Sequence, residues 1–394
     1  MTPSARYAAA IDVLDKFLDG HPVEKILSNW ARKNRYAGSK DRAAVRDIVF
    51  DCLRKLSSFQ AISGIHNGRG LAIGHCLEIG LELKDVFNGE GYAPEPLDEY
   101  ELASLDVEPT PNAAQKGNLP DWVFQIVSMD HVNEVNVLTA NLSRRAPVDL
   151  RVNTSKTNLN AVQLALEEEG IVSQPLDDVA TALRIVKNPR RVVGSMAFAD
   201  GWLELQDAAS QAVVEMLDIQ PNNQVLDFCA GGGGKTLAMA AAQPGAKFDA
   251  WDISAARLKS LKVRAKRAGA TVFVLETEPS APTYDLVFVD APCSGSGSWR
   301  RNPEGKWRLT SDRLNELQRI QAKLLQQAAV CTKPGGILAY VTCSIFDCEN
   351  RAQVDKFLND YPAFALLKKR DFSVSDPGDG FFCAVLQNNS NLPI

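Results

Sequence analysis

The chain has 394 residues, 45% hydrophobic and 23% charged, with a net charge of −5. That length supports two or three domains with a sizeable core, and the composition is that of an ordinary globular protein. The net acidity argues against indiscriminate nucleic-acid binding, and no apolar run approaches the ~20 residues of a membrane span. The closest cysteines, Cys331, Cys343 and Cys348, include no Cys-x-x-Cys pair and no nearby histidine, so no metal is expected. Met1-Thr-Pro-Ser-Ala-Arg6 leads into an amphipathic helix, not the apolar core of a signal peptide. The default expectation is a monomer in the cytoplasm with reduced thiols.

In chain order, residues 1–84 read as a small helical bundle with a basic excess. Ile11, Leu14 and Leu18 recur at helical spacing. A second helix opens at Ser39, a plausible N-cap, with Val45, Ile48, Val49, Cys52, Leu53 and Leu56 on one stripe. Residues 85–118, acidic and punctuated by Pro94, Pro96, Pro109 and Pro111, read as a linker. Residues 119–200 form a connecting α+β module, with a strand at Val148–Val152 and a helix at Leu159–Glu168. In the last module, 201–394, strand patterns fall at 224–228, 248–251, 271–275, 285–290, 337–342 and 381–386. Helix patterns at 235–243, 255–268, 311–330 and 349–359 fall between or beside them. That alternation predicts an α/β domain with a doubly wound, mostly parallel sheet.

Ligands of such a domain bind at the carboxyl ends of its strands. Strand Val225-Leu-Asp-Phe228 runs into Cys229-Ala-Gly-Gly-Gly-Gly-Lys235, where a helix opens. Glycines allow close approach, and a helix N-terminus presents free N–H groups. A phosphate loop would need glycine where Cys229 stands, and a dinucleotide fingerprint would put its last glycine at Thr236. Asp252 ends the next strand, where a carboxylate can accept from a ribose. A ribose ligand without a polyphosphate motif favours S-adenosylmethionine.

Two thiols also lie just beyond strand patterns. Cys293 follows Asp285-Leu-Val-Phe-Val-Asp290 in Ala291-Pro-Cys-Ser-Gly295, and Cys343 follows Ile337-Leu-Ala-Tyr-Val-Thr342. Carbon-5 of a pyrimidine is a poor nucleophile. A thiolate adding at carbon-6 makes it enamine-like, so that it can attack a methyl-sulfonium. That chemistry needs a thiol, a carboxyl such as Asp290, and a base around one flat ring. Cys52, Cys76, Cys331 and Cys383 read instead as inert core residues. Arg300, Arg301, Lys306, Trp307 and Arg308 interleave basic and aromatic character after the Cys293 loop. They read as contacts for RNA phosphates and a stacked base, with a packed Trp307 as the alternative.

Together these motifs resemble the RNA cytosine-carbon-5 methyltransferases of the RsmB/Sun/Fmu group. The match runs through Gly201–Asp207, Cys229–Thr236, Trp251-Asp-Ile253, Asp290-Ala-Pro-Cys293 and Arg300-Arg-Asn-Pro303. It continues in Lys306-Trp-Arg308, Thr342-Cys-Ser344 and Asp379-Gly-Phe-Phe382. Leu150-Arg-Val-Asn153 resembles the segment that precedes the catalytic domain, and residues 1–84 resemble a NusB-type helical RNA-binding domain. The resemblance implies Cys343 as nucleophile and Cys293 as helper in product release. Asp290 would lie at the cytosine edge and beside the cofactor. S-adenosylmethionine would be held by Cys229, Ala230, Gly231, Gly232, Gly233, Gly234, Lys235 and Asp252. Counting on from Asp252, a further acidic position near the adenine falls at Glu278, with Glu276 as its rival. The family loop usually reads Ala-Ala-Pro-Gly-Gly-Lys, so Ala230-Gly-Gly-Gly-Gly-Lys235 is expected to be looser. Ribosomal RNA is the implied substrate. Transfer RNA, or a non-catalytic role in ribosome assembly, are the alternatives.

Overall fold

The structure, a computed structural model, describes residues 1–374 and 378–390. Two compact units divide the chain: Met1–Arg145 with Trp299–Arg308, and Ala146–Ser298 with Leu309 to the C-terminus.

The first unit is helical. Its long helices are Pro3–Leu18, Val23–Lys33, Ser39–Arg54 and Gly68–Glu78. Val13, Leu14, Phe17, Val45, Val49, Leu53 and Phe59 close one core; Tyr7, Ile73, Cys76 and Phe87 close a second. Ser39 is the first helical residue rather than the cap, a place taken by Gly38.

The stretch expected to be a linker is folded into this unit. Short helices Leu83–Val86, Glu99–Leu105 and Ala113–Lys116 occupy it, and Val86 and Phe87 are buried. Its acidic residues have work that composition does not reveal. Asp98 and Glu101 form a capping box, and buried Glu101 also receives the Arg69 guanidinium. By contacts the first unit runs on to Arg145, and within it Asn118 is buried and hydrogen-bonds Ser58 through both amide atoms.

The second unit carries two sheets. In the smaller, β1 (Val148–Val152), β2 (Val172–Pro175), β3 (Ala182–Lys187) and β4 (Leu203–Leu205) pair antiparallel in the order β2-β3-β1-β4. Helix Leu159–Glu168 buries Val162 and Leu166 against Leu150, Leu183 and Leu203.

The larger sheet contains β5 (Gln224–Asp227), β6 (Lys247–Ala250), β7 (Val272–Val274), β8 (Tyr284–Asp290), β9 (Thr332–Thr342), β10 (Phe364–Phe372) and β11 (Phe381–Asn388). Its order is β10-β11-β9-β8-β5-β6-β7. β5 to β9 run parallel, and β11 and β10 close one edge antiparallel. The predicted doubly wound, mostly parallel sheet is the observed one. Its two faces are covered by separate cores, one around Val213, Met239, Phe288 and Ala339 and one around Leu226, Val287, Leu325 and Leu338. Continuous apolar strands such as Leu-Val-Phe-Val in β8 follow from burial on both faces. Among the described residues no helix is long and apolar enough to cross a membrane, and no group of three metal-ligating side chains occurs.

Candidate active site

The chain leaves β5 for β6 on one side and reaches β8 on the other, so a crevice opens at the carboxyl ends of β5 and β8. Four strand ends feed it. Cys229–Gly234 comes after β5, Asp252 after β6, Cys293 after β8 and Cys343 after β9. A cavity of about 750 Å³ there is lined by Cys229, Ala230, Gly231, Gly232, Gly234, Lys235, Asp252, Glu278, Asp290, Cys293 and Cys343. Every predicted cofactor and catalytic residue except Gly233 thus borders one space. Glu278 borders it and Glu276 does not, which sets the two rivals apart.

The glycine loop is shaped by its neighbours. Gly231 and Gly233 have φ of +52° and +79°, and a Cβ on Gly233 would lie 2.0 Å from Leu261 Cδ1. Gly233 therefore serves packing and caps the helix Gly234–Ala242. The Gly231 N–H donates to Asp252 Oδ2 at 2.9 Å. Arg264 Nη1 donates to the Gly232 carbonyl and Arg151 Nη1 to the Gly234 carbonyl, each at 2.7 Å. The loop expected to be slack for want of a proline is clamped from both sides by guanidinium groups.

Beneath it, buried Asp227 accepts from Thr236 Oγ1 at 2.5 Å. Burial raises its carboxyl to about 7. The residues fit S-adenosylmethionine. Asp252 and Glu278 offer carboxylates to a ribose and adenine edge, and Trp251, Ile253 and Leu324 supply apolar wall.

The two thiols meet. Cys293 Sγ and Cys343 Sγ are 3.4 Å apart, and both side chains are half-buried free thiols. Burial pushes up the thiols of Cys52, Cys76, Cys229, Cys331 and Cys383. Cys343 moves the other way. The hydrogen bond it shares with Cys293 lowers it against burial and the Asp290 and Glu349 charges, with help from the Lys235 charge. The same bond pushes Cys293 well above its ordinary value. Of the pair, Cys343 is the thiol shifted toward ionisation and Cys293 the one shifted toward keeping its proton. Lys235 Nζ is 2.7 Å from Asp290 Oδ2. Burial would lower Lys235, but Asp290 outweighs it and holds the amine above its usual value. Asp290 and Cys343 so face one volume from neighbouring strands.

The basic and aromatic group is not gathered there. Trp299–Arg308 packs within the helical unit. Lys306 Nζ donates to the Arg54 carbonyl and Trp307 Nε1 to the Leu53 carbonyl, each at 2.7 Å, and Arg54 Nε reaches the Arg300 carbonyl. Lys306 and Arg300 are buried, Trp307 and Arg301 are half-buried, and Arg308 is exposed beside Glu304. The reading of all five as RNA contacts needs correction. Lys306 and Trp307 satisfy the orphan carbonyls that end helix Ser39–Arg54. Sequence reasoning assigned no role to Glu349 or Gln321, and took Arg264 as part of a solvated basic face rather than as a tie to the glycine loop. The signal for Glu349 was present: each thiol is followed by a serine, Ser294 and Ser344, whose hydroxyl needs an acceptor.

The fold and the crevice define a class I S-adenosylmethionine-dependent methyltransferase. The profile described as 16S rRNA methyltransferase RsmB/F matches residues 214–390, and the RsmF/B-like ferredoxin-like domain matches 119–192. A Synechocystis protein, probable ribosomal RNA small subunit methyltransferase B, is 30% identical over 78% of this chain and 71% of its own. The Serratia proteamaculans ribosomal RNA small subunit methyltransferase B is 32% identical over 68% of this chain, and the match spans 66% of that protein's length. The crystal structure of PH0851 superposes over 98% of this chain and 99% of its own, with a TM-score of 0.77 and 27% identity. The chain belongs to the RsmB/F methyltransferase family.

Proposed function

We infer that this protein transfers a methyl group from S-adenosylmethionine to carbon-5 of a cytosine in RNA, with small-subunit ribosomal RNA as substrate. The observation that carries this reading is the thiol pair 3.4 Å apart in the cavity that the glycine loop also borders. The names of the relatives support ribosomal RNA.

The cofactor supplies a methyl group activated on a sulfonium. The chain's residues supply the rest. The Cys343 thiolate bonds carbon-6, and the electrons of the 5,6 double bond become available at carbon-5. Asp290, paired with Lys235, stands at the ring edge to hold the cytosine amidine. Once carbon-5 has taken the methyl group, a base takes the carbon-5 proton, the C–H electrons re-form the double bond, and Cys343 departs as a thiolate. Cys293, kept protonated, hydrogen-bonds that departing sulfur. Trp299–Arg308 supports the helical unit, leaving Arg308 as the exposed cation of the group.

The test is methyl transfer from labelled S-adenosylmethionine to purified 16S rRNA and to bulk tRNA, with the product mapped to single cytosines. Label in one 16S cytosine is expected, with a fall of ~10³-fold or more in Cys343→Ala. Label in tRNA alone would move the substrate, and none in either RNA would favour the assembly-factor role.

A further inference from the structure

Ser294 follows Cys293 and Ser344 follows Cys343, and both hydroxyls end on one carboxylate. Glu349 lies in the turn Asp347–Glu349 and is fully buried. Its Oε2 accepts from Ser294 Oγ and from Ser344 Oγ at 2.5 Å each. Its Oε1 accepts from the Ser294 N–H and from Gln321 Nε2 at 2.9 Å each. Four donors from two loops and one helix thus take the place of water around this charge.

The ties continue on the far side of each thiol. The second Gln321 amide hydrogen goes to the Pro292 carbonyl at 3.0 Å, just before Cys293. Asn350 accepts from Thr342 Oγ1 at 2.5 Å and donates to the Ser344 carbonyl at 2.9 Å, bracketing Cys343. Glu349 joins the two brackets through their side chains, beside the Ser294–Ser344 and Ser296–Ser344 hydroxyl contacts and the Gly297 N–H that donates to the Cys343 carbonyl.

We propose that Glu349 is a positioning residue that sets the separation of the two thiols and so keeps Cys293 at the sulfur of Cys343 during product release. The release role rests on the function inferred above; the setting of the separation does not. A glutamine at 349 keeps the shape but brings one acceptor oxygen and an NH2 group. That NH2 would face either the two hydroxyls or the two N–H donors, so one loop must shift.

The test uses the full-length chain, Glu349→Gln, and two readouts. The first is disulfide formation between Cys293 and Cys343 under diamide, followed by mass spectrometry of the linked peptides. Diamide takes up the two thiol hydrogens and is reduced to the hydrazine as the S–S bond forms. Crosslinking is expected to slow by about tenfold or more in Glu349→Gln. Ser344→Ala should slow it more than Ser294→Ala, because residue 294 keeps its N–H tie to Oε1; these two variants also serve if Glu349→Gln fails to fold. The second readout is turnover. We expect kcat to fall by about tenfold or more, KM for RNA and for S-adenosylmethionine to stay within about twofold, and covalent RNA–protein to accumulate, the outcome also expected of Cys293→Ala if it serves release. Wild-type crosslinking rates in Glu349→Gln and Ser344→Ala would overturn the proposal whatever the activity. Slowed crosslinking with normal turnover would uphold the positioning and overturn the release role given to Cys293.

Discussion

Seven of the eight cysteines have a clear electrostatic setting, and only Cys343 has its thiol lowered. The cause is local: the hydrogen bond shared with Cys293 and a nearby ammonium outweigh burial and the Asp290 and Glu349 charges. Asp227 shows the opposite balance, since burial and the nearby Asp290 charge outweigh the Thr236 hydroxyl, the Lys235 charge and the Cys229 N–H. Its carboxyl rises from 3.8 unfolded to about 7 folded, so its contribution to stability is present below pH 3.8 and lost as pH passes through 7. Asp227→Asn should therefore raise the melting temperature at pH 8 by a few °C and do much less at pH 5, as calorimetry at the two values would show. Both thiols, Asp290 and Asp252 were legible because each ends a recognisable strand. Asp227 was not singled out, because a strand-end aspartate gives no sign in sequence of whether it will be solvated.

At the scale of elements, the cofactor loop is rigid for a reason its own sequence does not contain. Its carbonyls are held by Arg264 from the helix Ala255–Ala268 and by Arg151 from β1, the latter lowered to about 10 by burial. Arg264→Ala removes the clamp on Gly232 and the ion pair with Glu204. S-adenosylmethionine binding should weaken by roughly 5–30-fold, the cost of one charged hydrogen bond, as titration calorimetry would measure. An unchanged affinity would show that Arg151 and Asp252 suffice. The parallel strands and their helices were legible because burial on both faces or along one stripe leaves a pattern. Strand β10 was not, since its central residues, including Lys368, Lys369 and Arg370, are exposed and carry no alternation. A charged edge strand guards against further pairing, and it reads as a loop.

At the scale of the molecule, the division into units depends on contacts that sequence order hides. Trp299–Arg308 lies between two catalytic motifs in the chain yet folds with the N-terminal helices. A basic-aromatic run has the same appearance whether it serves RNA or caps a helix, so burial had to decide. Lys306 is lowered from 10.5 to about 7 by burial, with Arg54 adding to the effect. Between those values the unfolded chain binds the proton and the folded chain does not, so folding gains stability as pH rises from about 7 toward 10.5. Thermal melts of wild type and Lys306→Met at pH 6.5 and 9.5 should show the difference shifting toward wild type at the higher pH.

The central claim is that one of two adjacent thiols attacks the base. The measurement that meets it most directly pairs S-adenosylmethionine with RNA carrying 5-fluorocytidine, whose carbon-5 has no proton to lose. A covalent protein–RNA species should form, its peptide should map to Cys343, and it should vanish in Cys343→Ala. An adduct that maps to Cys293, or methyl transfer that persists in Cys343→Ala, would contradict the account.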